Sequence, residues 1–387
     1  MAKIAHLTSV HPPLDLRIFY KECRTLAENG YEVVLIADHF KEEVVGGIKI
    51  VPFSHGKNRF LRIILSSLKM FFLAIGQRAD LYHFHDPELI PMGLMLKLFG
   101  KKVIYDVHED YGKAILSYYY LPFFARKTIA RLTNAAERMS SIFFNAIISA
   151  TEDISLNFRN HRTRLVLRNY PILSLFSRTN GSVPRGESGE KEGNHVFHVI
   201  YAGILSPERG LTQAVQSMGL LDESRKVRLV LCGAFSPESY EEEIRSLKGF
   251  AKVDYYGFVD FLTVPSFLRK SDVGIVNLLP FPNYINSMPN KLFEYMATGL
   301  PVVVSHFPLW KEIVGENHCG LSVDPLQPRA LAEAIEWLMD HPAEARQMGE
   351  NGRRAVLEKY NWELESRKLL SFYEDLLSRK RAPSSGS

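Results

Sequence analysis

Three stretches of the chain hold residues whose types and spacing could do chemistry. The first is Asn286–Ser305, NSMPNKLFEYMATGLPVVVS. Ser287 is placed to cap a helix that has Pro289 in its first turn, and Gly299 is placed to end it. Pro301 and the three valines after it read as a buried strand. A helix N-terminus offers free backbone N–H groups and the positive end of a dipole, which suit a pyrophosphate or sugar hydroxyls. Glu294 falls about one turn into this helix, where its carboxylate could accept from two ribose hydroxyls. An ordinary surface Glu on an ordinary helix is the competing reading, and spacing by itself favours it slightly.

The second stretch, Tyr201–Leu211 (YAGILSPERGL), reads as a strand ending at Gly203, a loop, and a helix starting near Leu211. Arg209 beside Gly210 can reach a diphosphate at such a turn, although a single loop Arg is usually only a solvated charge. The third, Val103–Tyr111 (VIYDVHEDY), delivers Asp106, His108, Glu109 and Asp110 to the end of a strand. His83 and His85 alternate nearby in LYHFHDPEL. Metal ligation, acid–base work and a polar strand mouth beside a helix capped by Asp86-Pro87 all fit these residue types. No second His follows His108 at ligand spacing, so the reading is against a metal.

The elements that position these residues alternate between short β-type runs and helical patterns, as parallel βαβ units do. In the first half strands are expected at Lys3–Leu7, Tyr31–Ala37, Ile48–Pro52, Leu81–Phe84, Lys102–Asp106 and Ala146–Ser149, with a helix at Phe19–Asn29 closed by Gly30. The rhythm restarts with strands at His198–Ala202, Arg228–Cys232, Val253–Gly257, Val273–Asn277, Pro301–Ser305 and Gly320–Val323. Between them lies a Gly-, Ser- and charge-rich stretch that reads as a linker. The expected division is residues 1–176, a linker over 177–195, and residues 196–362, with a terminal helix over 363–380 returning to the first domain. The fold class is α/β, two doubly wound sheets with a ligand cleft between the carboxyl ends of their strands.

A chain of 387 residues, 46% hydrophobic and 23% charged, fits two ordinary globular domains. Cys23, Cys232 and Cys319 are too scattered for a disulfide framework or a CxxC metal site. No signal-peptide pattern opens the sequence and the Ile63–Ile75 run is too short to span a bilayer, so a cytoplasmic protein is expected. Charge is uneven: residues 1–180 hold 24 Lys/Arg against 16 Asp/Glu, and the remainder is net acidic. Arg126, Lys127, Arg131 and Arg138 stand among Phe124, Ile129 and Leu132, and Arg62 and Lys69 lie in a similar pattern over 59–78. Such helices can lie on an anionic membrane, at its inner face here, or simply pack on the sheet with their charges in water. Nucleic acid is disfavoured, because the cations are interleaved with aliphatics. A nicotinamide enzyme would need G-x-G-x-x-G after a strand, which is absent.

The residues GILSPERG, GFV, PNKLFEYMATGLPVV and EIVGENHCGLSVDP together resemble the retaining GT-B glycosyltransferases of the group 1 type, most clearly over 199–337. HPPLDLRIFYKE, HDPEL and YDVHED resemble the family's first domain. The resemblance implies two Rossmann-like domains that transfer a sugar from a nucleoside diphosphate sugar (UDP before GDP) to a glycan or lipid-linked acceptor, with retention. It gives Glu294 the donor ribose and Arg209 the leaving diphosphate. Gly203 and the Asn286, Ser287, Met288, Asn290 and Lys291 segment would surround phosphate and sugar, with Arg209 and Lys291 as catalytic cations. Gly257, Phe258 and Val259 would line the base pocket. His108 would approach the donor sugar, and His11, Asp15 and Arg17 would face phosphate and acceptor. No DxD pair occurs, so neither metal nor other cofactor is expected. Two positions depart from the family pattern: Asn286 stands where a first Glu is usual, and Ile204 where a phosphate-binding cation is usual. Arg17 or Lys291 is the expected substitute. The departures also leave open a nucleotide-sugar-binding protein of weak activity, and an epimerase or hydrolase of the same fold remains an alternative.

Overall fold

The computed structural model describes the backbone of residues 1–54, 59–117, 122–176 and 195–378, and side chains throughout these except at 59–64, 117 and 123. The expected linker thus lies outside the described residues, His195 apart. The chain divides into two compact units: Met1–Asn169 with Trp362–Ser387, and Tyr170–Asn361. Tyr170 and the short helix Leu173–Phe176 pack with the second unit, against Phe293 and Tyr360. The sequence reading gave these residues to the first domain. Aromatic and apolar burial decides their place, which local pattern does not report.

The first unit is built on eight strands: β1 Lys3–Leu7, β2 Glu32–Asp38, β3 Glu43–Val45, β4 Ile48–Phe53, β5 Leu81–Phe84, β6 Lys102–Val107, β7 Ala146–Ser149 and β8 Arg164–Val166. Their order is β3-β4-β2-β1-β5-β6-β7-β8, parallel except for β3, which pairs antiparallel with β4. β3 and β8, three residues each, were not expected; they are too short and polar to show a period. Alternation sorts the central strands into two chemistries. Leu7, Tyr82, Phe84, Val103, Tyr105 and Val107 belong to an apolar core with Met70, Phe71, Met92 and Leu96 of the helices Arg59–Gly76 and Ile90–Leu98. The alternate positions hold His6, His83 and Asp106, fully buried beside the equally buried Ile4, Leu81 and Ile104.

What covers that polar side is the helix after β1 and the terminal helix Trp362–Ser378. The former is expected from Phe19 but starts earlier, as a π-helix over Leu16–Cys23 that runs into an α-turn at Arg24–Glu28. Asp15 caps it, accepting from the N–H groups of Arg17 and Ile18 at 2.8 and 2.9 Å. Trp362 fixes the terminal helix by donating to Thr25 Oγ1 at 2.9 Å.

The second unit has six parallel strands: β9 Phe197–Ala202, β10 Val227–Cys232, β11 Val253–Tyr255, β12 Val273–Val276, β13 Val302–Ser305 and β14 Gly320–Val323. They run β11-β10-β9-β12-β13-β14. β12 and β13 are buried along their whole length, as parallel strands covered by helices on both faces must be. The order reverses between β9 and β12, so the loop after β9 lies at a topological switch point, where open α/β sheets bind ligands.

Candidate functional site

In the second unit, β9 ends at Ala202, and Gly203, at φ 129°, continues the pairing with β10 by donating its amide to Cys232 O at 2.8 Å. Pro207–Arg209 then forms one 3₁₀ turn, Gly210 adopts φ 71°, and the helix Leu211–Leu220 begins. A Cβ on Gly210 would stand 1.8 Å from Asn277 O, so only glycine fits where the β12 end presses on this turn. Arg209 is thereby held at the switch point.

The helix Asn290–Thr298 supplies the facing groups and ends at Gly299 in the left-handed region, as expected. Ser287 does not cap it. Its hydroxyl instead donates to Tyr284 O at 2.8 Å and its carbonyl accepts from Trp310 Nε1 at 2.7 Å. The residue preceding the helix is Pro289, with no side-chain cap, so the first-turn N–H groups carry no capping side chain. Ser287, Met288 and Asn286 are part of the loop leading into this turn.

Lys291 is the outstanding group. Its side chain is buried, its ammonium has no hydrogen-bond partner among the described residues, and it lies 3.6 Å from the centroid of the Tyr201 ring. It also sits beside Gly203, 3.2 Å from where a Cβ there would be. Burial, then repulsion from Arg209, hold its pKa well below the ordinary value, against an opposing pull from Glu294. The two cations and Glu294 therefore belong to one electrostatic neighbourhood. Ile204 is half exposed next to Gly203, so Lys291 brings an ammonium to the stretch of backbone where the chain lacks a cation. Gly257 takes φ 68° and its carbonyl accepts from Gly233 N at 2.7 Å. Phe258 follows with 79% of its surface exposed, an open aromatic face, and Val259 packs on the core beneath.

In the first unit the expected residues are brought together differently. Arg17 does not face outward. It is buried, with Nε and Nη2 bonded to the Asp106 carboxylate at 3.0–3.2 Å, Nη1 to Leu167 O at 2.9 Å, and Nε 3.0 Å from Glu22. The wide π turn aims it inward, under the sheet's polar face. Arg17 is thus no substitute phosphate ligand, and Lys291 is left as the candidate. Asp86 also departs from its expected part: instead of capping the following turn, it accepts from Thr8 Oγ1 at 2.8 Å and from Ser9 N at 2.6 Å. His11 lies 3.4 Å from Asp15 and 3.6 Å from Asp86; these carboxylates raise its pKa despite burial.

His108 ends the buried chain. Its Nε2 is 2.9 Å from Asp106 Oδ2 and 3.2 Å from His85 Nδ1. From His85 the contacts run inward to His6 at 3.0 Å, then to Tyr373 at 3.4 Å, which meets His83 at 2.5 Å. Burial drives the pKa of His85 down to about 4 and those of His6 and His83 well below the ordinary value. Burial also opposes ionisation of Asp106, but Arg17 and His108 outweigh it and keep the carboxylate charged. Burial and the Asp106 charge push the pKa of Glu22 well up, against the pull of Arg17. His6, Glu22 and Tyr373 were missed in the sequence; the available signal was His6 pairing in register with His83 across β1 and β5.

Donor atoms of His6, Glu22, His83 and His85 lie close enough to share an ion, as do those of His85, Asp106 and His108. Arg17 bears on both sets, paired to Asp106 and beside Glu22. A fixed guanidinium there offsets the carboxylates that would draw a cation, so the groups read as a self-neutralising hydrogen-bonded network.

Comparison with known proteins bears on the fold and the family. Residues 17–165 match the family described as Glycosyltransferase Family 4, and residues 187–355 match Glycosyl transferases group 1. An uncharacterized glycosyltransferase of Methanocaldococcus jannaschii is 23% identical over 410 residues, covering 96% of this chain and 98% of that protein. An MMP alpha-(1->4)-mannosyltransferase of Mycolicibacterium hassiacum is 25% identical over 192 residues, covering 49% of this chain and 45% of that protein. Among solved structures, sucrose-phosphate synthase of Thermosynechococcus elongatus aligns with a TM-score of 0.79 at 18% identity, over 98% of this chain and 100% of that one. HepE of Anabaena in complex with UDP-glucose aligns at 0.73 and 14%, over 97% and 100%. These likenesses establish the fold, and with the family matches to both halves they make the chain a glycosyltransferase of the GT-B type.

Proposed function

We propose that the chain transfers a sugar from a UDP-sugar to a glycan or lipid-linked acceptor with retention at the anomeric carbon, without a metal. The observation that carries this reading is the buried Lys291 ammonium, lacking a hydrogen-bond partner among the described residues and electrostatically coupled to Arg209. A buried cation costs free energy unless an anion meets it, and a diphosphate at the switch point would meet both cations. In the reaction the bond from the anomeric carbon to the diphosphate oxygen breaks, a bond to the acceptor oxygen forms, and the acceptor proton is released. Arg209, Lys291 and the first-turn N–H groups of the helix Asn290–Thr298 stabilise the charge that grows on the diphosphate. Glu294 accepts from the ribose hydroxyls, and the Phe258 segment meets the base. UDP is favoured over GDP because the structurally similar HepE is seen with UDP-glucose. No described helix is long and apolar enough to cross a membrane; we place the protein in the cytoplasm, held at the membrane surface through its first unit.

Calorimetric titration with UDP, GDP and ADP, with and without EDTA, beside Arg209→Ala, tests the reading. Micromolar binding of UDP that survives EDTA and is lost in the variant supports it. No binding of any nucleotide would overturn it, and turnover of donor to free sugar without acceptor would replace transfer by hydrolysis.

A further inference from the structure

The helices Arg59–Gly76, Ile90–Leu98 and Phe123–Ser141 share two features in the first unit. Across all three the sequence holds a single acidic residue, Glu137, and that one is buried against Tyr105, whose hydroxyl donates to it at 2.6 Å. All other charge on them is Lys or Arg, with Lys127, Arg131 and Arg138 exposed. Their ends also expose large apolar side chains that the core does not use. Leu98 is 85% exposed and Ile142 72%, and Phe72, Phe99 and Phe143 are each more than half exposed.

These five residues come from three separate segments, and the structure draws the segments together. Phe71 lies 5.5 Å from Phe72 and 5.2 Å from Phe99, ring centroid to centroid. Lys97, next to Leu98, reaches Asn145 Oδ1 at 2.8 Å, which ties the end of the second helix to the turn holding Ile142 and Phe143. From Phe143 the apolar surface continues along the third helix through Met139, Leu132 and Phe124, at helical spacing and all exposed. Arg78, at the end of the first helix, is exposed as well.

We infer that this face docks on an anionic lipid surface, with the aromatic and aliphatic side chains entering the headgroup boundary and the cations pairing with lipid phosphates. The charge decides the occupant. Elements that expose both large apolar side chains and cations, their one acid buried, complement a leaflet of acidic lipids. A two-fold contact between copies of this chain would bring one face carrying Lys127, Arg131 and Arg138 against another of the same charge. The sequence suggests single amphipathic helices; the structure replaces them by a composite surface completed by the turns at Leu98–Phe99 and Ile142–Phe143. The inference rests on the proposed lipid-linked acceptor only for its purpose, since the surface lies wholly within the first unit.

Co-sedimentation of the full chain with vesicles tests it, using phosphatidylcholine alone or mixed with phosphatidylglycerol. Binding to the mixed vesicles is expected, weakening with salt, together with an Ile142→Ser/Phe143→Ser variant weakened at least tenfold. A Lys127→Glu/Arg131→Glu variant should lose roughly fivefold or more per charge. UDP affinity and melting temperature should be unchanged in both, since the altered side chains are exposed. Equal sedimentation with both vesicle types, by protein that binds UDP normally, would overturn the inference. So would a concentration-dependent dimer that Ile142→Ser/Phe143→Ser dissolves. Protein that binds mixed vesicles but no nucleotide would leave this surface standing and remove the donor reading instead.

Discussion

The Lys291 ammonium stands 3.6 Å from the centroid of the Tyr201 ring and has no hydrogen-bond partner among the described residues. The ring face stabilises a buried cation only in part, and burial and Arg209 depress the pKa. A diphosphate reverses that balance by adding negative charge. Binding of UDP should therefore take up protons, and affinity should fall as pH rises above the depressed pKa of the free protein. Calorimetry in buffers of different ionisation enthalpy reads the uptake directly. Lys291→Met should weaken UDP by about 1.5–3 kcal/mol, the worth of a charge-assisted bond, and abolish the buffer dependence. A buffer-independent enthalpy in the wild type would remove the charge-capture account.

Glu294 lies in the helix Asn290–Thr298, which Lys291 also occupies. If it holds the ribose, Glu294→Ala should weaken UDP by about 1–3 kcal/mol, the cost of leaving hydroxyls unpaired. The same change should cost far less with 2′,3′-dideoxy-UDP. Equal losses for both nucleotides would place the effect in the fold of the helix.

Arg17 neutralises Asp106 inside the first unit. Removing it with Arg17→Met leaves a buried carboxylate uncompensated, and the cost should be about 3–5 kcal/mol of unfolding free energy in urea. Where the protein remains folded, UDP affinity should be preserved, because the proposed donor residues belong to the second unit. A mild loss of stability with lost UDP binding would instead revive Arg17 as a phosphate ligand.

Glu137 is pushed up to about 7 by burial, in spite of the hydrogen bond from Tyr105. A carboxyl whose pKa is higher folded than unfolded takes up protons on folding. Its stabilisation is complete below the unfolded value, near 4.5, and is lost as pH rises to about 7, by at most ~3 kcal/mol. Glu137→Gln should flatten the stability profile across that window and raise stability at pH 8. Urea midpoints at pH 5, 6, 7 and 8 provide the check.

Gly210 combines φ 71° with contact to Asn277 O that a Cβ would violate. Gly210→Ala should cost more than the ~1–2 kcal/mol of a left-handed alanine, because the backbone must also move. UDP affinity should fall with it, since Arg209 precedes this residue. Melting curves and titration on the same preparation separate the two effects.

Much was legible in the sequence because it is local. The parallel strands announce themselves as short β-branched and aliphatic runs, and the turn at Arg209-Gly210 and the stop at Gly299 are written in glycines that only one backbone conformation explains. The proposed donor segments of the second unit are contiguous peptides, so a local pattern is enough to suggest them. Three things only the tertiary structure decided. Arg17 reads as a loop cation, yet a π turn sends it under the sheet to Asp106, because residues far apart in the chain set its electrostatic minimum. Lys291 reads as one charge among many, until burial beside Gly203 and Tyr201 leaves it in need of an anion. His6, Glu22 and Tyr373, from three elements and both ends of the chain, share one buried network with His83 and His85. A sequence specifies which side chains alternate onto a polar face; which of them meet, and with what charge, depends on desolvation and distance across strands and helices.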